Sequence, residues 1–188
     1  LARLRALDTG ADGEPARRQA RASLMIERDG ARAEASTVRL DAPLGGIELL
    51  GHCRDGLAPL LIEELTELGL KASPLRPGTV LVRGAPNLGA VLRARLLLSV
   101  GVPLTPADGV DEVDALARGL AGRADVLVAL TDGPVRWRLD VVGEGHRRGL
   151  VWALAQRVRT LAPALINDPT TTTWDVVANG GRLDARPR

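Results

Sequence analysis

Phenylalanine and tyrosine are absent from this 188-residue chain, and Trp137, Trp152 and Trp174 are its only aromatic side chains. A platform of rings that grips single-stranded bases has little to be built from, so the tryptophans read first as core or interface packing. Cysteine occurs once, at Cys53, which excludes an intramolecular disulfide and any multi-cysteine zinc or iron site and fits a reducing, cytoplasmic setting. His52 and His146 are the only histidines, too few for an evident zinc centre or Ser-His-Asp triad. His52 and Cys53 adjoin on a candidate strand, which turns them to opposite faces and argues against a nucleophile-base pair. No run of about 18 apolar residues marks a membrane span. No glycine-rich loop lies between a strand and a helix, and there is no P-loop, so no cofactor or metal site is expected in these residues. Lysine is nearly missing too: Lys71 is the only one among 25 basic residues, and the remaining arginines are planar forks suited to phosphate.

The composition is otherwise that of a folding chain. With 45% hydrophobic residues and a formal net charge of +2, it has material for one full domain or two small ones, and local clustering of charge carries more information than the total. It begins at Leu1 and stops after Arg186-Pro187-Arg188 without a capped element, which reads as a fragment.

Residues 1–43 are rich in Ala, Arg and Gly, with a short amphipathic helix expected from Pro15 to Ile26, and read as a helical or connector segment. The pattern changes after Gly45. A strand is expected over Ile47–Cys53, a helix from Leu57 to Leu68, and two strands, Leu70–Leu75 and Thr79–Gly84, around a Pro77-Gly78 turn. A helix opened by Asn87 and running through Leu97 follows, then a strand from Val100 to Leu104. The order β-α-β-β-α-β over residues 44–106 is that of a ferredoxin-like unit in an α+β fold.

A Pro, Asp and Gly cluster at 106–109 marks a boundary, and residues 107–188 form the second unit. A helix is expected over Val110–Gly122, with Asp108 or Asp111 near its start; 124–130 suits either helix or strand. Val135–Val142 alternates as a half-buried strand, placing Arg136, Arg138 and Asp140 on one face. A helix from about His146 to Leu161 follows, with Asn167-Asp168-Pro169 as a turn, and strands on either side of Asn179-Gly180-Gly181 form a hairpin. Asp55, Glu63, Glu64 and Glu67 read as solvated charge around a surface helix.

Residues 136–159 hold the densest charge: Arg136, Arg138, Arg147, Arg148, Arg157 and Arg159 against Asp140 and Glu144, a local charge of about +4 where the whole chain carries +2. Gly145, His146, Arg147 and Arg148 stand where a turn feeds a helix start. Arginines there oppose the helix dipole, a conflict that a bound phosphate removes. The expected partner is therefore a nucleic-acid backbone, touched by these arginines with Gly145 and His146, and the alternative for such a cluster is a solvated, salt-bridged face.

Two segments add to this: Cys53-Arg54-Asp55-Gly56-Leu57-Ala58-Pro59-Leu60-Leu61-Ile62-Glu63-Glu64-Leu65 and Thr79-Val80-Leu81-Val82-Arg83-Gly84. They resemble the C-x-x-G-L-E…E-L…G-x-V-x-F-x-G opening of THUMP-domain, SAM-dependent methyltransferases that modify guanosines of tRNA or rRNA. His146-Arg147-Arg148, Asn167-Asp168-Pro169-Thr170 and Thr173-Trp174-Asp175-Val176 resemble the THUMP core. Ala58 stands where the family has an acidic residue, and the strand before Gly84 lacks its phenylalanine. The resemblance implies a ferredoxin-like unit followed by a THUMP-like α/β unit that docks structured RNA, often a tRNA near its 3′ end. S-adenosylmethionine chemistry would belong to a catalytic domain of the same polypeptide, downstream of these residues. The same module serves tRNA thiolation enzymes, and a protein-interaction α+β domain is a third reading.

Overall fold

Ten strands and five helices account for most of the described residues, which in this computed structural model are 36–105, 111–143, 148–179 and 182–188. The strands are β1 Thr37–Val38, β2 Leu49–His52, β3 Lys71–Arg76, β4 Thr79–Arg83, β5 Ser99–Leu104, β6 Thr131–Asp132, β7 Val135–Val141, β8 Leu165–Asn167, β9 Trp174–Asn179 and β10 Arg182–Pro187. The helices are α1 Ala58–Glu67, α2 Leu88–Val91, α3 Glu112–Ala121, α4 Ala124–Ala129 and α5 Arg148–Leu161. Ser36–Arg188 is one unit of a mixed α+β fold. The amphipathic helix expected over 15–26 lies outside the described residues.

Eight strands share one sheet in the order β3-β4-β2-β5-β10-β9-β7-β8, and β1 pairs with β6 in a separate two-stranded ladder. Between residues 49 and 104 the chain runs strand, helix, strand, strand, helix, strand, and the four strands lie in the order β3-β4-β2-β5 with antiparallel neighbours. Gly78, at φ +64, closes the β3–β4 turn in a backbone conformation that side chains resist. Further along, β7 is parallel to both β8 and β9, and α5 makes the crossover between β7 and β8. β9 and β10 form the expected hairpin, paired from Asn179↔Arg182 to Trp174↔Pro187. Pairing of β10 with β5 at Leu183↔Leu104, Asp184↔Pro103 and Ala185↔Val102 makes the sheet continuous from the earlier strands to the later ones.

Alternation sorts the two faces of the sheet. Leu49, Val80, Val82, Val100, Val102, Leu183, Ala185, Trp174, Val176 and Trp137 point into the core, where they meet Leu61 and Leu65 of α1, Leu120 of α3, and Leu154 and Val158 of α5. Asp111 caps α3 by accepting from the Asp114 amide at 2.8 Å. Asp114 itself is gripped by Arg118 at 2.7 Å and by Arg157 Nη2 at 2.6 Å, which ties α3 to α5.

One expected element departs from the sequence reading. The helix expected from Asn87 to Leu97 is only the four residues of α2, with Asn87 capping it through the Ala90 amide. Beyond it, the amides of Arg95 and Leu96 donate to the Glu64 carboxylate of α1, at 2.8 and 3.0 Å, and so are not available to extend the helix. Glu64 is thus a structural acceptor and not solvated charge; those backbone bonds hold its pKa below the ordinary value. Residues 124–129 are helical. The two-residue β1 and β6 and the three-residue β8 have too few residues to show a period.

Candidate nucleic-acid interface

The expected strand and helix of the arginine cluster are β7 and α5, and a cleft of about 910 Å³ opens between them and β8. Arg138, Asp140, Arg148, Trp152, Arg159 and Ile166 are among its walls. On α5, Arg148, Trp152 and Arg159 are spaced by four and seven residues, so they follow one stripe of the helix. Leu154 and Val158, on the buried side, fix the opposite face: Trp152 is two residues from Leu154, about 200° around the helix. Its indole is accordingly 69% exposed, whereas Trp137 and Trp174 are fully buried. Of the three aromatic residues expected in a core or interface, one therefore lies open in a cleft. The signal was present in the sequence, since Trp152 falls on the arginine side of the helical period.

The arginines divide into two groups. Arg136, with a side chain 12% exposed, donates to Asp168 at 2.6 Å. Arg138 makes a two-pronged pair with Asp175, at 2.5 and 3.3 Å, and that bond raises its pKa. Arg157 is held by Asp114, as described. Arg148 and Arg159 are exposed and line the cleft, and no carboxylate among the described residues pairs with either. Gly145, His146 and Arg147 lie outside the described residues.

Sequence reading missed how the turn at the cleft's rim is built. Asp168 accepts from the backbone amides of Thr170 and Thr171 at 2.9 and 3.2 Å, and from their hydroxyls at 2.7 and 2.6 Å. Burial pushes its pKa up, but the hydroxyl and amide bonds outweigh that and hold the carboxyl well below its usual range. The turn, with Asn167 and Pro169 on the cleft side, is thereby fixed from within.

Chemistry at Cys53 is disfavoured: burial, then the nearby Asp55 charge, raise its thiol pKa. Among the described residues no three His, Cys, Asp or Glu side chains are grouped to hold a metal, and no helix is long and apolar enough to cross a membrane. What the cleft offers is two guanidiniums with no carboxylate partner among the described residues, an open indole and a polar rim fixed from within.

No protein-family model and no curated protein matches the sequence. Solved structures do. A possible methylase from Clostridium difficile 630 is similar over 76% of this chain and 41% of its own, at 11% identity and a TM-score of 0.51. SMU.472, described as a methyltransferase and solved in complex with SAH, is similar over 75% of this chain and 41% of its own, at 12% identity and a TM-score of 0.50. A 4-thiouridine synthetase in complex with RNA and ATP is similar at 7% identity and a TM-score of 0.44, over 76% of this chain and 41% of its own, too weak a likeness to carry an argument. The first two likenesses show a shared fold. This chain spans about two fifths of the length of the structures it matches.

Proposed function

We propose that this chain is the RNA-docking part of a SAM-dependent RNA methyltransferase, a ferredoxin-like unit over residues 44–106 followed by a THUMP-like unit over 107–188. One observation carries the reading: the α5 stripe of Arg148, exposed Trp152 and Arg159 faces a cleft and has no carboxylate to neutralise it among the described residues. A stability-driven helix surface gains little from an open indole between two bare guanidiniums, whereas RNA supplies phosphates for the arginines and a base for the ring. Arg138, paired to Asp175, also lines the cleft. Arg136 and Arg157 act indirectly, by fixing the Asp168 turn and the α3–α5 contact. Arg147, next to Arg148 in sequence, adds to the same charge, and Gly145 and His146 precede it on the proposed RNA-contacting stretch.

S-adenosylmethionine has no place in this assignment of residues. The sequence contains no G-x-G-x-x-G loop, and methyl transfer is assigned to a catalytic domain of the same polypeptide that these residues do not include. The fold shared with two proteins described as methylase and methyltransferase, in each of which the matched part is about two fifths of the chain, supports that division of labour.

The test is binding of unmodified tRNA in a gel shift at low salt. The double variant Arg148→Glu/Arg159→Glu should abolish the shifted band, and Trp152→Ala alone should weaken binding by about 1–3 kcal/mol, the worth of one stacked base. Unchanged affinity in the double variant would refute the site.

A further inference from the structure

Away from the cleft, the sheet face opposite the helices carries a second concentration of arginine. Register decides which residues share it. Across β3, β4, β2 and β5, Arg76 stands opposite Thr79, Thr79 opposite His52, and His52 opposite Ser99. On β10, alternation places Arg182, Asp184 and Arg186 on that same face, with Asp184 opposite Pro103.

At the centre, Asp184 is buried and its Oδ2 lies 3.1 Å from His52 Nε2 and 2.6 Å from Arg186 Nε. Asp184 reaches His52 by lying across β5 at Gly101, where any Cβ would collide with the carboxylate. The carboxylate's capacity is thereby spent on His52 and Arg186. Arg76 and Arg182 have no carboxylate partner among the described residues. Burial lowers the Arg76 pKa, and the charge of Arg182 lowers it further, with Asp184 opposing and Arg186 adding to the shift. Arg182 and Arg186 thus flank one carboxylate on the same face, and Arg76 stands in the register row that runs through His52, an arrangement of like charges that an anion relieves.

We propose that Arg76, Arg182 and Arg186 form a second anion site on the sheet face opposite the helices, anchored by the His52–Asp184 pair, which takes a phosphodiester of the RNA strand held in the α5 cleft. The identity of the ligand rests on the RNA reading above; the existence of the site does not. Continuity with the cleft supports the single strand: Arg186 stands opposite Asp175 on β9, Asp175 holds Arg138 on β7, and Arg138 lines the cleft. Three adjacent strands separate Arg186 from Arg138 by about 10 Å, a distance that a single strand of RNA spans in a few nucleotides.

Fluorescence anisotropy with two labelled oligouridylates, one sized to the cleft and one long enough to cross the sheet, tests this in the full chain. Arg76→Ala/Arg182→Ala should weaken the long oligonucleotide about tenfold at low salt, flatten its logarithmic salt dependence by about 0.7, and leave the short one unchanged. Circular dichroism checks that the variant is folded. A separate titration with inorganic phosphate should shift the arginine Nε–Hε resonances of the wild type saturably, and Arg182→Ala should remove the effect. Absence of that shift overturns the site. Phosphate binding without any loss for the long oligonucleotide, or equal loss for both lengths, overturns its assignment to the RNA strand. If neither oligonucleotide binds the wild type, the assignment to a single RNA strand is overturned, the tRNA gel shift decides the RNA reading, and the phosphate titration alone decides whether the anion site stands.

Discussion

At the scale of single residues, identity and position separate three chemically equal tryptophans. Trp174 Nε1 donates to Thr131 Oγ1 at 2.9 Å, and Thr131 passes the bond on to the Leu127 carbonyl at 2.6 Å, so its buried polar atom is satisfied. Trp137 is equally buried, and its indole N–H has no acceptor among the described residues. Replacing either by Phe removes a similar volume, so the difference between the two variants isolates the hydrogen bond. Trp174→Phe should lose about 1–2 kcal/mol more stability than Trp137→Phe in urea unfolding. Equal losses would mean that the Thr131 bond contributes nothing net. The arginines divide by the same logic: Arg136, Arg138 and Arg157 carry identical side chains to Arg148 and Arg159, yet each of the first three has an aspartate from a distant element within bonding reach. Sequence spacing places all five close together. It says nothing of Asp114, Asp168 or Asp175 arriving beside them.

At the scale of elements, period and caps were readable wherever a segment was long enough to show them. The alternation in 135–141, the apolar stripe of 58–67 and the Asn179-Gly180-Gly181 hairpin signal each became the expected element. The helix after Asn87 failed for a tertiary reason, because Glu64 on α1 captures the Arg95 and Leu96 amides. Amide hydrogen exchange checks this. Glu64→Ala should accelerate exchange at Arg95 and Leu96, whereas Glu63→Ala, on an exposed position one residue away, should leave both unchanged. Equal rates in wild type and Glu64→Ala would show that the carboxylate does not protect those amides.

At the scale of the whole molecule, the pairing of β5 with β10 joins strands from the two halves of the described chain into one sheet, and the His52–Asp184 bond crosses the same seam. All three tryptophans belong to the later half, while far-ultraviolet ellipticity reports both. Tryptophan fluorescence and ellipticity should therefore give coincident urea transitions, since neither half keeps its central neighbours when the seam opens. Two separated transitions would identify independently folding units. The sequence by itself determined the α+β class, the chain order of most elements and the neighbourhood of the arginine cluster, because these depend on periods and turn residues that neighbours in the chain express together. Which arginines are neutralised, that Trp152 stands open in a cleft, and that His52 meets a buried Asp184 beside Arg186 were decided only by tertiary structure. Each depends on residues that are remote in sequence and brought together by strand order and register.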